Sequence, residues 1–226
     1  MNMNRKKLII VGNGATADIA YEYFTYDSDF EVVGFSVEKD FRNSQSYKNL
    51  PIVDFEDIHS SFSPKNHFIY VAISFNQFNR LRTRFYNASK DRGYSIASYI
   101  SSKAFVWQNV VIGENCFIFE NNTVQPFVNI GNNVTLWSGN HIGHHSKISD
   151  NCFISSEVVV SGFCEVGKNC FIGVNSTIAD NVKIGEDNWI GPGLTILKDT
   201  ENNLIFGSAN AQPSKIPAKK FFKIKE

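Results

Sequence analysis

The sequence predicts two architectures in series: a small parallel α/β domain over residues 1–99 and a parallel β-helix over residues 100–226. The β-helix rests on a period of six. From Ile100, every sixth residue is aliphatic: Ile100, Val106, Ile112, Ile118, Val124, Ile130, Leu136, Ile142, Ile148, Ile154, Val160, Val166, Ile172, Ile178, Ile184, Ile190 and Ile196. Glycine often follows, as at Gly113, Gly131, Gly143, Gly167, Gly173, Gly185 and Gly191. A small or slim residue usually stands two places before, as at Cys116, Val134, Ser146, Cys152, Cys164 and Ser176. Six is neither the period of an α-helix nor that of an alternating strand. It marks hexapeptide coils, in which three strand–turn units close one triangular turn. Residues eighteen apart then stack at roughly 4.8 Å, the spacing of paired strands. The repeated glycine is expected to supply the backbone freedom of the turns. A β-sandwich of six-residue strands fits poorly, because uneven strands and turns would break the register.

The α/β domain rests on its opening. Lys6–Val11 is an apolar strand, Gly12-Asn13-Gly14-Ala15-Thr16-Ala17 follows at once, and Asp18–Phe24 places Ile19, Ala20, Tyr23 and Phe24 on one side of a helix. A strand, a Gly-rich turn and a helix open a Rossmann-like nucleotide-binding unit, with glycine admitting a phosphate to the backbone and the helix N-terminus favouring its charge. A purely structural Gly turn is the plainer reading. Further strands are expected at Glu31–Val37, Leu50–Val53, Phe68–Ile73 and Tyr94–Tyr99. Phe55–Ser60 reads as a helical turn, and Asn76–Asp91 as a helix bearing Arg80, Arg82 and Arg84, ended by Gly93. This order gives a parallel sheet with helices on both faces. Ligands in such sheets sit at the carboxyl ends of the strands. The candidate crevice residues are therefore Gly12, Asn13, Gly14, Ala15, Ser36, Ser74 and Asn76, within the stretches Gly12–Thr16, Ser36–Glu38 and Ser74–Asn76.

Lys and Arg balance Asp and Glu at 22 each, which argues against a nucleic-acid surface. No apolar run reaches the length of a membrane span. Met1–Lys7 is followed by only four apolar residues, which does not fit a signal peptide, so a cytoplasmic location is expected. Cys116, Cys152, Cys164 and Cys170 share one repeat position, predicted to point inward as small apolar side chains rather than to form disulfides, a zinc site or a nucleophile.

Three of the five histidines fall in Gly139-Asn140-His141-Ile142-Gly143-His144-His145-Ser146. His144 and His145 are expected to begin the strand after Ile142, with at least one side chain outward. Imidazole titrates near neutrality and suits a general base. Metal binding and a purely structural cluster are the alternatives. One coil beyond His144 stands Gly162, whose amide would lie a strand spacing away. A base beside a bare N–H suits acyl transfer, the amide steadying the oxyanion on a thioester carbonyl.

The Gly-rich unit, the hexapeptide coils with their I-x-H segment and the C-terminal exit together resemble the nucleotide-sugar acyltransferases of the left-handed β-helix superfamily. The bacterial PglD-like and NeuD-like sugar acetyltransferases are nearest. The resemblance covers nearly the whole chain. It implies left-handed coils, a homotrimer, no metal, and acetyl-CoA or another acyl-CoA as co-substrate in a groove between subunits. It further implies His144 as general base on a sugar amine and His145 as its support, at a position acidic in some relatives. Gly162 would donate its amide to the acetyl carbonyl. Gly162, Asp180, Lys198 and Lys215 would line the CoA path, and the crevice would hold a nucleotide-linked amino sugar, UDP or dTDP first. A solvated basic tail is the plainer reading of Lys215, Lys219 and Lys220. The chain departs from these relatives in three places. Asn151-Cys152-Phe153-Ile154 carries no second histidine, Phe35-Ser36-Val37-Glu38 has no acidic pair, and the exit reads Gly207-Ser208-Ala209-Asn210-Ala211. The expected activity is N-acyl transfer to the amine of a nucleotide-linked amino-deoxy sugar, feeding O-antigen, capsule or glycan synthesis. O-acetylation of a sialic-acid-type hydroxyl, a non-catalytic trimeric scaffold and metal-dependent hydration remain as rivals.

Overall fold

The computed structural model describes residues 5–208 and 213–224. Its N-terminal sheet contains β1 (Lys6–Val11), β2 (Phe30–Val37), β3 (Ser46–Tyr47), β4 (Leu50–Asp54), β5 (His67–Val71) and β6 (Ser95–Ile96), in the spatial order β3-β4-β2-β1-β5-β6. All neighbours are parallel except the β3–β4 pair. The pleat of β1 divides two cores. Leu8 and Ile10 pack with Ala17, Ala20 and Phe24 of α1 (Ala15–Tyr26), while Ile9 and Val11 pack with Phe85 and Tyr86 of α3 (Arg80–Asp91) and Ile58 of α2 (Ile58–Ser61). Helices therefore cover both faces, as expected. α3 begins four residues later than its pattern suggests, because Gln77, Phe78 and Asn79 all take left-handed φ, between +50° and +60°. The last expected strand is split: Ser95–Ile96 belongs to the sheet, whereas Tyr99–Ile100 already pairs with Phe117–Ile118 as the first rung of the β-helix.

Three parallel sheets of seven, six and five two-residue strands form the faces of a triangular prism. Face I runs from Tyr99–Ile100 through Thr135–Leu136 to Ile205–Phe206. Face II runs from Phe105–Val106 through His141–Ile142 to Thr195–Ile196, and face III from Val111–Ile112 to Lys183–Ile184. Register is eighteen residues throughout up to Thr195–Ile196, as in Thr123↔His141↔Val159↔Thr177. The second residue of each strand points inward and fills one continuous core from Ile118 to Ile196. All four cysteines are buried and point inward as predicted. Each thiol reaches a carbonyl fifteen residues on, as Cys164 Sγ does to Ala179 O (3.0 Å).

The turns correct one expectation. The glycine after the aliphatic residue does not take positive φ; its constraint is close approach. A Cβ on Gly143 would meet the Ser161 carbonyl carbon at 2.5 Å. The left-handed position comes two residues later, and asparagine is the commonest residue there, at Asn115, Asn121, Asn133, Asn151, Asn169, Asn175 and Asn181. Its short polar side chain tolerates that conformation best after glycine. Along the edge from face III to face I, these asparagines form an amide ladder, Asn115→Asn133→Asn151→Asn169, at 2.8, 3.0 and 3.2 Å.

The α/β domain sits on face I. Tyr99, Phe117 and Phe119 join the α1 core, and Phe75 packs on Phe153 and Phe171. A buried arginine bolts the two parts together. Arg82 of α3 is 1% exposed. Its guanidinium donates to the carbonyls of Val71 (3.3 Å), Asn115 (2.7 Å) and Asn133 (3.1 Å) and to the Thr135 hydroxyl (2.8 Å). Among the described residues no helix is long and apolar enough to cross a membrane.

Candidate active site

His144 and His145 occupy the turn between faces II and III, not the start of a strand, and both are exposed. The aliphatic residue ends its strand rather than marking the corner, which moves the pair into the turn. His145 takes the left-handed position, φ +59°. The backbone N–H of His144 donates to Gln125 Oε1 (2.9 Å), and its Nδ1 lies 3.1 Å from Nδ1 of His145. The other edge of the His144 ring faces Gly162. A Cβ there would stand 3.0 Å from His144 Cε1 and 3.2 Å from Nε2, so glycine keeps the Nε2 edge open. His144, Gly162, Asp180 and Lys198 form one column, eighteen residues apart, as the register requires. The Gly162 N–H is not bare, however: it donates to Asp180 Oδ1 (2.9 Å). The same link recurs where Glu114 N–H meets Asn132 and Asn132 N–H meets Asp150, so it belongs to the way these coils stack. Lys198 is exposed at the column's end, and Lys215 lies exposed in the tail before α4 (Ala218–Phe221). Ala209–Ala211 of the exit lie outside the described residues.

This edge breaks the asparagine rule. Its left-handed positions in three successive coils are Phe127, His145 and Phe163, with φ of +65°, +59° and +57°. Left-handed backbone costs an ordinary side chain about 1–2 kcal/mol. Their rings form a stack: Phe127 and His145 are 4.5 Å apart between centroids, and His145 and Phe163 are 4.9 Å apart. Among the described residues, no group of three or more His, Cys, Asp or Glu is placed to hold a metal ion. His141 lies on face II, with its strand, rather than in the turn. None of the four cysteines is exposed: burial pushes the Cys116 thiol up to about 11 and raises Cys152 and Cys164, whereas a hydrogen bond with Cys152 lowers the buried Cys170.

The second candidate region is the crevice at the carboxyl ends of β1, β2 and β5. It holds about 380 Å³ and is lined by Gly12, Asn13, Gly14, Ala15, Ser74 and Asn76, as predicted. Gly12 takes φ +123°, and a Cβ there would meet the Ala72 carbonyl at 2.8 Å. Gly14 caps α1 with no side-chain hydrogen bond, which leaves the helix N-terminus available to an anion. Ser36 is a correction. It is fully buried, and its carbonyl accepts the Gly12 N–H (2.8 Å). Its side chain is enclosed, with Oγ lacking a hydrogen-bond partner, and Val37 and Glu38 line the crevice instead. Sequence reasoning placed Thr16 and Glu38 around the crevice as well, but passed over Phe41, Leu81 and Phe85. The apolar Phe41 and Phe85 gave no signal of that role in the sequence. Glu38 is paired with Arg84 of α3 at 3.0 Å.

The family described as bacterial transferase hexapeptide (six repeats) matches residues 109–144 and 145–180. A perosamine N-acetyltransferase from Caulobacter crescentus, solved as a histidine variant with CoA and GDP-perosamine, superposes with a TM-score of 0.78. It is 21% identical, and the match covers 88% of this chain and 92% of that one. The chain has the left-handed hexapeptide β-helix fold. Only the same handedness lets coils superpose over such a length. The acetyltransferase domain of PglB from Neisseria gonorrhoeae shares this hexapeptide fold, at TM-score 0.75 and 18% identity over 89% of this chain and 96% of that one. WeeI from Acinetobacter baumannii shares it at 0.53 and 13%, over 88% and 96%. No curated protein matches by sequence.

Proposed function

We propose that the chain is an acyl-CoA-dependent N-acyltransferase acting on the amine of a nucleotide-linked amino-deoxy sugar. The observation that carries this reading is His144, with its Nε2 edge open over Gly162 and its Nδ1 held by His145. Nε2 accepts a proton from the amine as the nitrogen attacks the thioester carbonyl. The C–N bond forms, the C–S bond breaks, and the CoA sulfur leaves with the proton that His144 returns. Gly162 gives the acyl group room. Its N–H can meet the developing oxyanion only where Asp180 Oδ1 yields it. Lys198 and Lys215 are the cations proposed for the CoA phosphates. That similar structures hold CoA with GDP-perosamine, or acetyl-CoA, supports the substrate pair.

The crevice holds the nucleotide, but it lies over face I, whereas His144 lies on the opposite edge of the prism. A sugar held in one chain's crevice therefore meets the base of a second copy. The surface supports the same reading. Face III carries Lys147, Glu165 and Lys183, with Lys183 paired to Glu165 (2.9 Å), and suits water. Face II presents the uncharged row Phe105, Thr123, His141, Val159, Thr177 and Thr195, and its edge adds exposed Trp107, Phe127, Phe163 and Leu197. An apolar strip of this kind marks an interface between copies, and the homotrimer is the assembly proposed. Thiol release from acetyl-CoA, measured with UDP-, dTDP- and GDP-linked amino sugars, tests the reaction. Turnover on one nucleotide class, with a loss of at least about a hundredfold in His144→Ala, is expected. Silence on amines with turnover on sugar hydroxyls overturns it in favour of O-acylation.

A further inference from the structure

Resting on that reading of His144, we infer that Phe163, together with Phe127, is a positioning residue for the base: the two rings clamp the His145 imidazole so that its Nδ1 stays on the Nδ1 of His144. Elsewhere the left-handed turn position is asparagine in most coils, and on the edge from face III to face I it is asparagine in four successive coils, Asn115 to Asn169. Among the described residues, only the histidine edge places rings there in three consecutive coils. Nothing local favours that choice. The conformation disfavours bulky side chains, and Phe127 and Phe163 remain 55% and 51% exposed, so they gain little core burial in the chain. An outlier kept against both backbone and burial points to function.

The geometry states which function. His145 lies between the two phenyl rings at interplanar angles of 27° and 19°. Phe163 also sets its ring at 88° to His144, 5.0 Å between centroids. One phenylalanine thus touches both imidazoles. An exposed imidazole on a turn would otherwise sample several rotamers. Stacked between two rings it holds one plane, the plane that carries its Nδ1 to His144. Two Nδ1 atoms at hydrogen-bond distance share one proton. Because His144 needs a free lone pair on Nε2, that proton sits on His144 Nδ1. His145 then accepts on Nδ1 and carries its own proton on Nε2. The clamp therefore fixes a tautomer as well as an orientation.

The test uses the full-length protein with ¹⁵N-labelled histidine, in wild type, Phe163→Asn, Phe127→Asn and Phe163→Tyr. In the wild type, the ¹⁵N shifts are expected to show His144 protonated on Nδ1 and His145 on Nε2. In Phe163→Asn that pattern should collapse to mixed tautomers and kcat should fall at least about tenfold. KM for both substrates should stay within about twofold, while Tm holds or rises because asparagine suits the turn. Phe163→Tyr restores both tautomer and rate. Unchanged ¹⁵N shifts in Phe163→Asn overturn the inference. So does a loss of rate that appears only with dissociation of the oligomer in light scattering, which would make the rings subunit contacts alone. A wild type that shows the fixed tautomers but acylates no amine leaves the clamp standing and removes the N-acyltransferase reading.

Discussion

The Nδ1 atoms of His144 and His145 lie 3.1 Å apart, within hydrogen-bond distance, so one ring can donate to the other. On the proposed reading of His144 as base, His145 accepts that hydrogen bond and orients the ring. Replacing His144 by alanine should remove at least about a hundredfold from kcat. His145→Ala should cost less, about tenfold, because the base remains and only its orientation is lost. His145→Glu should restore most of the rate, since a carboxylate accepts the same hydrogen bond and steadies the imidazolium. Steady-state thiol release on the three variants checks this order. Equal loss in His145→Ala and His145→Glu would show that the second ring does more than accept.

Gly162→Ala is the sharpest probe of the open Nε2 edge. The added Cβ meets His144 at 3.0–3.2 Å, tight enough to displace an exposed ring by a few tenths of an ångström but not to block folding. Tm should change little, and kcat should fall by about tenfold or more. Calorimetry alongside the thiol assay separates this outcome from general destabilisation.

The coils were legible because their period is a backbone property. One inward side chain per strand and one fixed turn leave no freedom for slippage, so Ile118 to Ile196 could be assigned from spacing alone. The column His144–Gly162–Asp180 followed from the same count. What spacing could not convey was who donates to whom. The Gly162 N–H meets Asp180 because a side chain from the next coil reaches back, and a residue count carries no side-chain direction. Ser36 was misplaced for a related reason. The end of β2 was located correctly, but the pleat puts Ser36 and Val37 on opposite faces, and an error of one residue exchanges core for crevice. Arg82 was hidden by type: an arginine on a helix reads as solvent-facing, and only the docking of α3 on the β-helix reveals its carbonyl partners.

Arg82 gives the third prediction. Its acceptors at Asn115 and Asn133 belong to β-helix turns, whereas Val71 ends β5, one residue before Ala72 of the crevice lining. Arg82→Met keeps much of the side chain's bulk but leaves those buried carbonyls unpaired. The expected loss is about 3 kcal/mol of unfolding free energy, read from urea denaturation. A variant as stable as wild type would mean that water takes over the guanidinium's place.

Asp27, which closes α1, gives the fourth. Hydrogen bonds from Ser102 and from the Tyr99 hydroxyl hold its carboxyl below the usual range. A lowered folded-state value means that the unfolded chain binds the proton first as pH falls. The contribution is therefore complete above about pH 4, the ordinary aspartate value, and is lost as pH drops through the lowered one. Asp27→Asn should have a lower Tm than wild type at pH 7, and the gap should narrow as pH falls below about 4. A gap independent of pH would assign the effect to shape rather than charge.

The placement of crevice and base on opposite sides of the prism has a quantitative consequence. Gly14→Val should fold normally, because a Cβ at Gly14 meets nothing within 4 Å, yet it places a branched side chain where a phosphate would approach the α1 N-terminus. Alone, it should lose nucleotide-sugar turnover while keeping His144 intact. His144→Ala should bind nucleotide and fail in chemistry. When the two are unfolded together in equal amounts and refolded, each site drawing its crevice from one copy and its base from the next is fully functional in about one case in four, by random assortment within a ring. Recovery of about a quarter of wild-type activity from two inactive parents would establish a shared site. If crevice and base served the same chain, every site would carry one lesion and the mixture would stay inactive.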